Sequence, residues 1–273
     1  MLKECFDRLR SAGPLIHNIT NYVTVNDVAN VILACGASPI MADDESEVEE
    51  ITSICQGLNL NIGTLNGRTV EAMVKAGKRA KSLGHPIVLD PVGAGASRLR
   101  TETARRLLRE VSPRVIRGNI SEIRALAGES AAVRGVDASL ADRVTEENLN
   151  EAVELVKELS RQTGAVIAAT GAIDLVADPE RCFVIRNGRP QMGLITGTGC
   201  QLSGMTAAFL AASPDQPLEA AAAAVCAMGL AGETAVDGLK AGEGNATCRS
   251  RIIDAISLMD GKTLEGGAKY ELR

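Results

Sequence analysis

Short apolar runs that end in polar residues alternate with longer amphipathic stretches through most of the chain, and this alternation limits the fold more than any other feature. Residues 14–23, 36–41, 58–65, 86–89, 113–119 and 165–170 read as strands. Residues 1–12, the stretch from Thr24 or Asn26 to Ala34, residues 43–54 and 69–83, the residues after Ser121 and Glu122, and 145–162 read as helices. A strand and a helix every roughly 25 to 30 residues is the pattern of a doubly wound α/β domain, with a mostly parallel central sheet and helices on both faces. Residues 173–177 and 182–186 read as a pair of edge strands. The chain after Ala212 reads as mostly helical, with a glycine-containing loop at 238–245 and a polar tail from Lys262. With 273 residues and neither repeats nor a low-complexity linker, one domain over 1–273 accounts for the chain.

In an open α/β sheet, ligands bind outside the carboxyl ends of the strands. Asn21, Met41, Asp90, Asn119, Glu122 and Thr170 stand at such ends and are expected to share a cleft with Gly197, Thr198, Gly199 and Cys200. In Ile195-Thr196-Gly197-Thr198-Gly199-Cys200 a strand-like approach gives way to a small-residue helix over 201–212, so backbone N–H groups and the positive helix end form an anion hole. Asp90 and Glu122 are hard oxygen donors suited to a Mg²⁺ that keeps most of its waters and holds phosphate oxygens. Arg117 can neutralise phosphate charge. The combination describes a kinase without a Walker P-loop, because G-x-x-x-x-G-K-[ST] is absent. Each residue also has a purely structural reading. Asp90 before Pro91 can start a turn, Glu122 near Asn119 can face a helix dipole, and Met41 can be core. His17 reads as a hydrogen-bonded strand-end residue.

A net charge of -5 and 2% aromatic residues argue against a nucleic-acid surface, which needs clustered cations and stacking platforms. No apolar run reaches the roughly 20 residues of a membrane helix; 218–235 comes nearest. The seven cysteines include no C-x-x-C pair and no metal-ligand spacing. They read as reduced thiols, which with no secretion signal points to the cytoplasm.

The motifs Pro14-Leu15-Ile16-His17-Asn18-Ile19-Thr20-Asn21, Gly36-Ala37-Ser38-Pro39-Ile40-Met41, Asn61-Ile62-Gly63-Thr64-Leu65, Leu89-Asp90-Pro91-Val92-Gly93-Ala94-Gly95, Ile116-Arg117-Gly118-Asn119 with Ser121-Glu122, Arg134-Gly135-Val136-Asp137, Thr170-Gly171 and Gly197-Thr198-Gly199-Cys200 occur in this order. Together they closely resemble the hydroxyethylthiazole kinase family. The resemblance implies a ribokinase-like fold, with transfer of the ATP γ-phosphate to the hydroxyl of 4-methyl-5-(2-hydroxyethyl)thiazole for thiamine supply. Carried over by position, Met41, Asn21 and Val23 look like substrate contacts, Arg117 and Thr170 like ATP contacts, and Asp90 with Glu122 like the Mg²⁺ pair, while Gly197 lies at the substrate hydroxyl. The resemblance also implies a homotrimer with interfacial sites, in which Asn21, Val23 or Met41 act on a neighbour's phosphates and hole. Cys200 stands where the broader ribokinase-like enzymes have an aspartate base. A helix N-terminus favours thiolate, which makes Cys200 a candidate base or a polarizable contact for the hydroxyl. The chain departs from the family at Gly242-Glu243-Gly244-Asn245-Ala246-Thr247, where Gly-Pro-Gly-Ser-Phe is expected on the adenine side. Two alternatives stay open: a related kinase for another vitamin alcohol, such as hydroxymethylpyrimidine or pyridoxal, and a non-catalytic ligand-binding regulator.

Overall fold

The computed structural model describes residues 1–127 and 143–273. Its centre is a sheet in the order β2-β1-β3-β4-β5-β6-β7-β8-β9. Strands β1 (Leu15–Ile19), β2 (Ser38–Met41), β3 (Gly57–Asn61), β4 (Ile87–Asp90), β5 (Val115–Asn119) and β6 (Val166–Thr170) run parallel. Strands β7 (Asp174–Ala177), β8 (Cys182–Ile185) and β9 (Tyr270–Leu272) continue the sheet antiparallel. From β1 the chain moves outward to β2, then crosses back to lay β3 on the other side of β1. The crevice between the carboxyl ends of β1 and β3 is therefore the topological switch point, where such sheets take ligands.

Both faces are covered because the strands carry apolar side chains on both sides. Ile16, Val88, Val115 and Val176 pack under α1 (Leu2–Ala12), α2 (Val25–Ala34), α8 (Thr198–Ala212), α9 (Pro217–Asp237) and α10 (Asn245–Leu258). Ile19, Leu58, Leu89 and Ile116 pack with residues of α3 (Val48–Ile54), α4 (Gly67–Leu83), α5 (Arg98–Val111), α6 (Ile120–Ala127) and α7 (Leu149–Thr163). Helix α9 is long and apolar enough to cross a membrane, but 83% of its apolar window is buried inside the molecule. All seven cysteines are buried and unbridged.

Several elements differ from the sequence expectation. Helix α3 starts at Val48, because Asp44 Oδ1 accepts from Ser46 N at 2.9 Å and holds residues 44–46 in a side-chain-closed turn. Helix α8 starts at Thr198, three residues before 201. Gly197 sits at φ 88°, and Gln201 N bonds its carbonyl at 2.8 Å, so Gly199 and Cys200 lie inside the first turn. The approach to this helix is a 3-10 turn, Pro190–Leu194, and not a strand. The expected polar tail forms α11 (Gly261–Gly267) and β9, which pairs with β8, so β7 and β8 are interior strands. Helix α5, not among the expected elements, is capped by Ser97, whose side chain accepts from Arg100 N.

Candidate active site

Asp90 ends β4 with a fully buried side chain. Three donors converge on its Oδ2: Asn61 Nδ2 at 2.7 Å, Ser203 Oγ at 2.8 Å and Arg117 Nη1 at 3.5 Å. Its other oxygen, Oδ1, has no partner among the described residues. Burial pushes the carboxyl up to about 6 against the opposing pull of Arg117, Ser203 and Asn61. Arg117 projects from β5 with its side chain 12% exposed, and its Nη2 donates to Thr170 Oγ1 at 2.6 Å. The guanidinium lies over the first turn of α8, so closely that a Cβ at Gly199 would collide with it.

Asn21 reaches the same helix from the loop after β1. Its Nδ2 donates to Cys200 Sγ at 3.1 Å and to Asn61 Oδ1 at 3.0 Å, while its Oδ1 accepts from Thr24 N and Oγ1, each at 3.1 Å. A polar line of hydrogen bonds, with an ion pair between Asp90 and Arg117, thus runs Thr24, Asn21, Asn61, Asp90, Arg117, Thr170 across the ends of five strands, with Cys200 and Ser203 of α8 attached. The first-turn N–H groups of α8 at 198–200 have no carbonyl partner within the helix. Thr24 packs so tightly against Gly197 that a side chain there would strike its methyl group.

The thiol of Cys200 differs from expectation. Burial, and then the Asp90 charge, push it up and outweigh the hydrogen bonds and the Arg117 charge that favour thiolate. Asn21 is 4% exposed, and its amide is bonded to Cys200 and Asn61. Glu122 takes its helix-start reading. Its Oε2 accepts from Asn119 N and its N donates to Asn119 Oδ1, a reciprocal start to α6, while its Oε1 accepts from Gly93 N in the loop after Asp90, each at 2.8 Å.

A pocket of about 190 Å³ opens at the switch point, with Asn18, Thr20, Met41, Asp43, Asn61 and Met73 in its wall. Asn61 connects this pocket to Asp90, and Met41 at the end of β2 lines it, whereas Asp90 and residues 197–200 lie outside its wall. Val23 is not in that wall; it is 60% exposed beside Tyr22, itself 78% exposed. Sequence reasoning gave no role to Asn61 and Ser203. Asn61 stands in a motif at a strand end, a usable signal, whereas Ser203 lies one helical turn past Gly199 and had none. The motif at 134–137 lies outside the described residues.

A sequence model of the hydroxyethylthiazole kinase family matches residues 6–261. The chain belongs to that family. A hydroxyethylthiazole kinase from Clostridium acetobutylicum is 58% identical over 271 residues, covering 99% of each chain. The solved structure of the hydroxyethylthiazole kinase protein from Pyrococcus horikoshii superposes with a TM-score of 0.88 at 36% identity, covering 100% of this chain and 98% of that one. The fold is shared more widely. A pyridoxal kinase from Staphylococcus aureus, solved with AMP-PCP and pyridoxal, gives a TM-score of 0.60 at 16% identity, over 95% of this chain and 98% of that one.

Proposed function

We propose that the chain phosphorylates 4-methyl-5-(2-hydroxyethyl)thiazole with ATP and Mg²⁺, supplying the thiazole phosphate for thiamine synthesis or salvage. The observation that carries this reading is the continuous polar line from Cys200 through Asn21 and Asn61 to Asp90, Arg117 and Thr170, which joins a pocket at the switch point to an open helix N-terminus. Family membership supplies the substrate class.

In this reading the thiazole ring occupies the Met41 pocket and the hydroxyl lies by Gly197 and Cys200. The alcohol oxygen forms a bond to the γ-phosphorus while the bond to the β–γ bridging oxygen breaks, releasing ADP, and the hydroxyl proton passes to an oxygen of the transferred phosphoryl group and from there to water. Arg117, Thr170 and the N–H groups at 198–200 hold the phosphoryl oxygens as charge shifts onto the leaving group. A raised thiol pKa makes Cys200 a neutral contact that positions the hydroxyl; it does not stand as a thiolate. Among the described residues no three His, Cys, Asp or Glu cluster as a protein-only metal cage, which agrees with a cation held mainly by phosphates and water. The donor set fits Mg²⁺ in that form: Asp90 keeps a bare Oδ1, and each Glu122 oxygen has accepted one N–H and retains a lone pair for metal-bound water. Mg²⁺ would neutralise charge on the β- and γ-phosphates.

We read the assembly as a homotrimer, with Tyr22 and Val23 exposed beside the pocket as the apolar contact, and place the protein in the cytoplasm on its seven unbridged thiols. Light scattering of the wild type and Val23→Asp tests the first point; a monomeric wild type refutes it. ADP release with ATP, Mg²⁺ and a panel of hydroxyethylthiazole, hydroxymethylpyrimidine, pyridoxal and ribose tests the reaction. Turnover with the thiazole alone is expected. Turnover with another alcohol alone overturns the substrate, and thiazole binding without ADP release makes the chain a regulator.

A further inference from the structure

We propose that Asn61 and Ser203 are positioning residues for the divalent cation: they pin one oxygen of Asp90 from two separate elements and so reserve the other for the ion or its water. The inference rests on the Mg²⁺ reading of Asp90 given above. Asn61 and Ser203 both donate to Oδ2, at 2.7 and 2.8 Å, and neither donates to Oδ1. A buried carboxylate with every donor on one oxygen and none on the other is held in a single rotamer at the cost of an unsatisfied acceptor.

The direction of the donors follows from the network itself. Thr24 N and Oγ1 both donate to Asn21 Oδ1, which leaves the Asn21 amide N–H groups for Asn61 and Cys200. Asn61 Oδ1 then receives N–H groups from Asn21 and Gly63, so only its Nδ2 can face Asp90. Turning either amide over would set donor against donor. Ser203 has one hydroxyl hydrogen, and its bond to the carboxylate at 2.8 Å is shorter than its contact with the Gly199 carbonyl at 3.3 Å. The two donors come from β3 and α8, so together they fix Asp90 relative to the sheet and to the helix that forms the anion hole. Groups that orient a metal ligand in this way commonly change metal affinity by about 10- to 100-fold when removed.

The test is titration of Mn²⁺, followed by the loss of its free paramagnetic signal, into ADP-loaded wild type, Ser203→Ala, Asn61→Asp and Asp90→Ala, with kcat and KM measured at fixed Mg²⁺. Alanine at 203 suits a helix; aspartate at 61 keeps the size and the acceptor but sets a second carboxyl against buried Asp90, so a thermal melt beside each titration establishes that the variant is folded. We expect Ser203→Ala to weaken Mn²⁺ binding about tenfold and lower kcat, with KM for the alcohol within about twofold, and Asn61→Asp to weaken binding at least as much. Mn²⁺ affinity of Ser203→Ala and Asn61→Asp within twofold of wild type, beside a loss in Asp90→Ala, overturns the positioning role alone. Unchanged affinity in all three overturns the metal assignment with it. A fall only in melting temperature makes both residues structural and also overturns the proposal.

Discussion

At the scale of single residues, the site is sensitive to groups that make no chemistry of their own. Gly199 lies in the first turn of α8, where alanine would improve helix propensity by about 1 kcal/mol. Its Cβ would occupy the place of the Arg117 guanidinium. Gly199→Ala should therefore fold well and lose turnover by about 10- to 100-fold, as expected when a group that must be aligned is displaced. Steady-state kinetics beside a thermal melt checks this, and wild-type turnover would show that the guanidinium can move freely. Arg117→Ala should chiefly raise the ATP requirement. His17 gives a pH prediction. Its ring is buried between Thr52 Oγ1 and the Ala42 carbonyl, each at 2.9 Å, and burial holds its pKa below 6.5. A depressed histidine takes its proton more readily when unfolded, so its share of stability is complete above pH 6.5 and is lost as pH falls toward the folded value. The Asp90 carboxyl, raised to about 6, has the opposite slope. The informative quantity is therefore the difference between His17→Gln and wild type in denaturant melts from pH 7.5 to 5, which should move in favour of the variant as pH falls.

At the scale of elements, α8 acts as the shared wall of the site because it can approach its neighbours closely. A Cβ at Gly204 would come within 2.8 Å of Val28 Cγ1, and one at Gly57 within 3.2 Å of the Ala207 carbonyl. These small residues let α8 settle against α2 and β3 until Ser203 reaches Asp90 and Cys200 reaches Asn21. Overpacking this contact typically costs about 1 to 3 kcal/mol. Gly204→Val should lower stability by that order and also lower kcat, because the same displacement pulls Ser203 from the carboxylate. Denaturant midpoints and kinetics measured together decide whether stability and turnover fall in step.

At the scale of the whole molecule, the last residues close the sheet far from the chemistry. Strand β9 pairs with β8, Tyr270 packs against Phe183 with ring centroids 5.3 Å apart and planes tilted by 55°, and Lys269 Nζ bonds the buried Glu233 carboxylate at 2.7 Å. Deleting residues 268–273 would leave Glu233 without that cation and expose β8 as an unpaired edge. The truncated chain should melt at a lower temperature and associate into larger species by light scattering. Its kcat per folded molecule should remain near wild type, since none of the site donors comes from this region.

The alternation of strand and helix was legible because burial on both faces forces it onto the sequence, and the meeting of Asp90, Arg117 and Thr170 was legible because parallel strands deliver their ends to one edge. The tail was not: Tyr270-Glu271-Leu272 has no periodicity of its own and becomes a strand only against the free edge of β8. Asn61 and Ser203 belong to the same class, since a neutral side chain gains its meaning from a carboxylate brought to it across 29 or 113 positions of chain. The sequence by itself determined the α/β class, the family and the list of groups able to do the chemistry, because local pattern and residue type encode these. Only the folded chain shows which oxygen of Asp90 is left bare, that burial pushes the Cys200 thiol up, and that the Asn21 amide is taken by Asn61 and Cys200, because burial and hydrogen-bond direction exist only once distant segments meet.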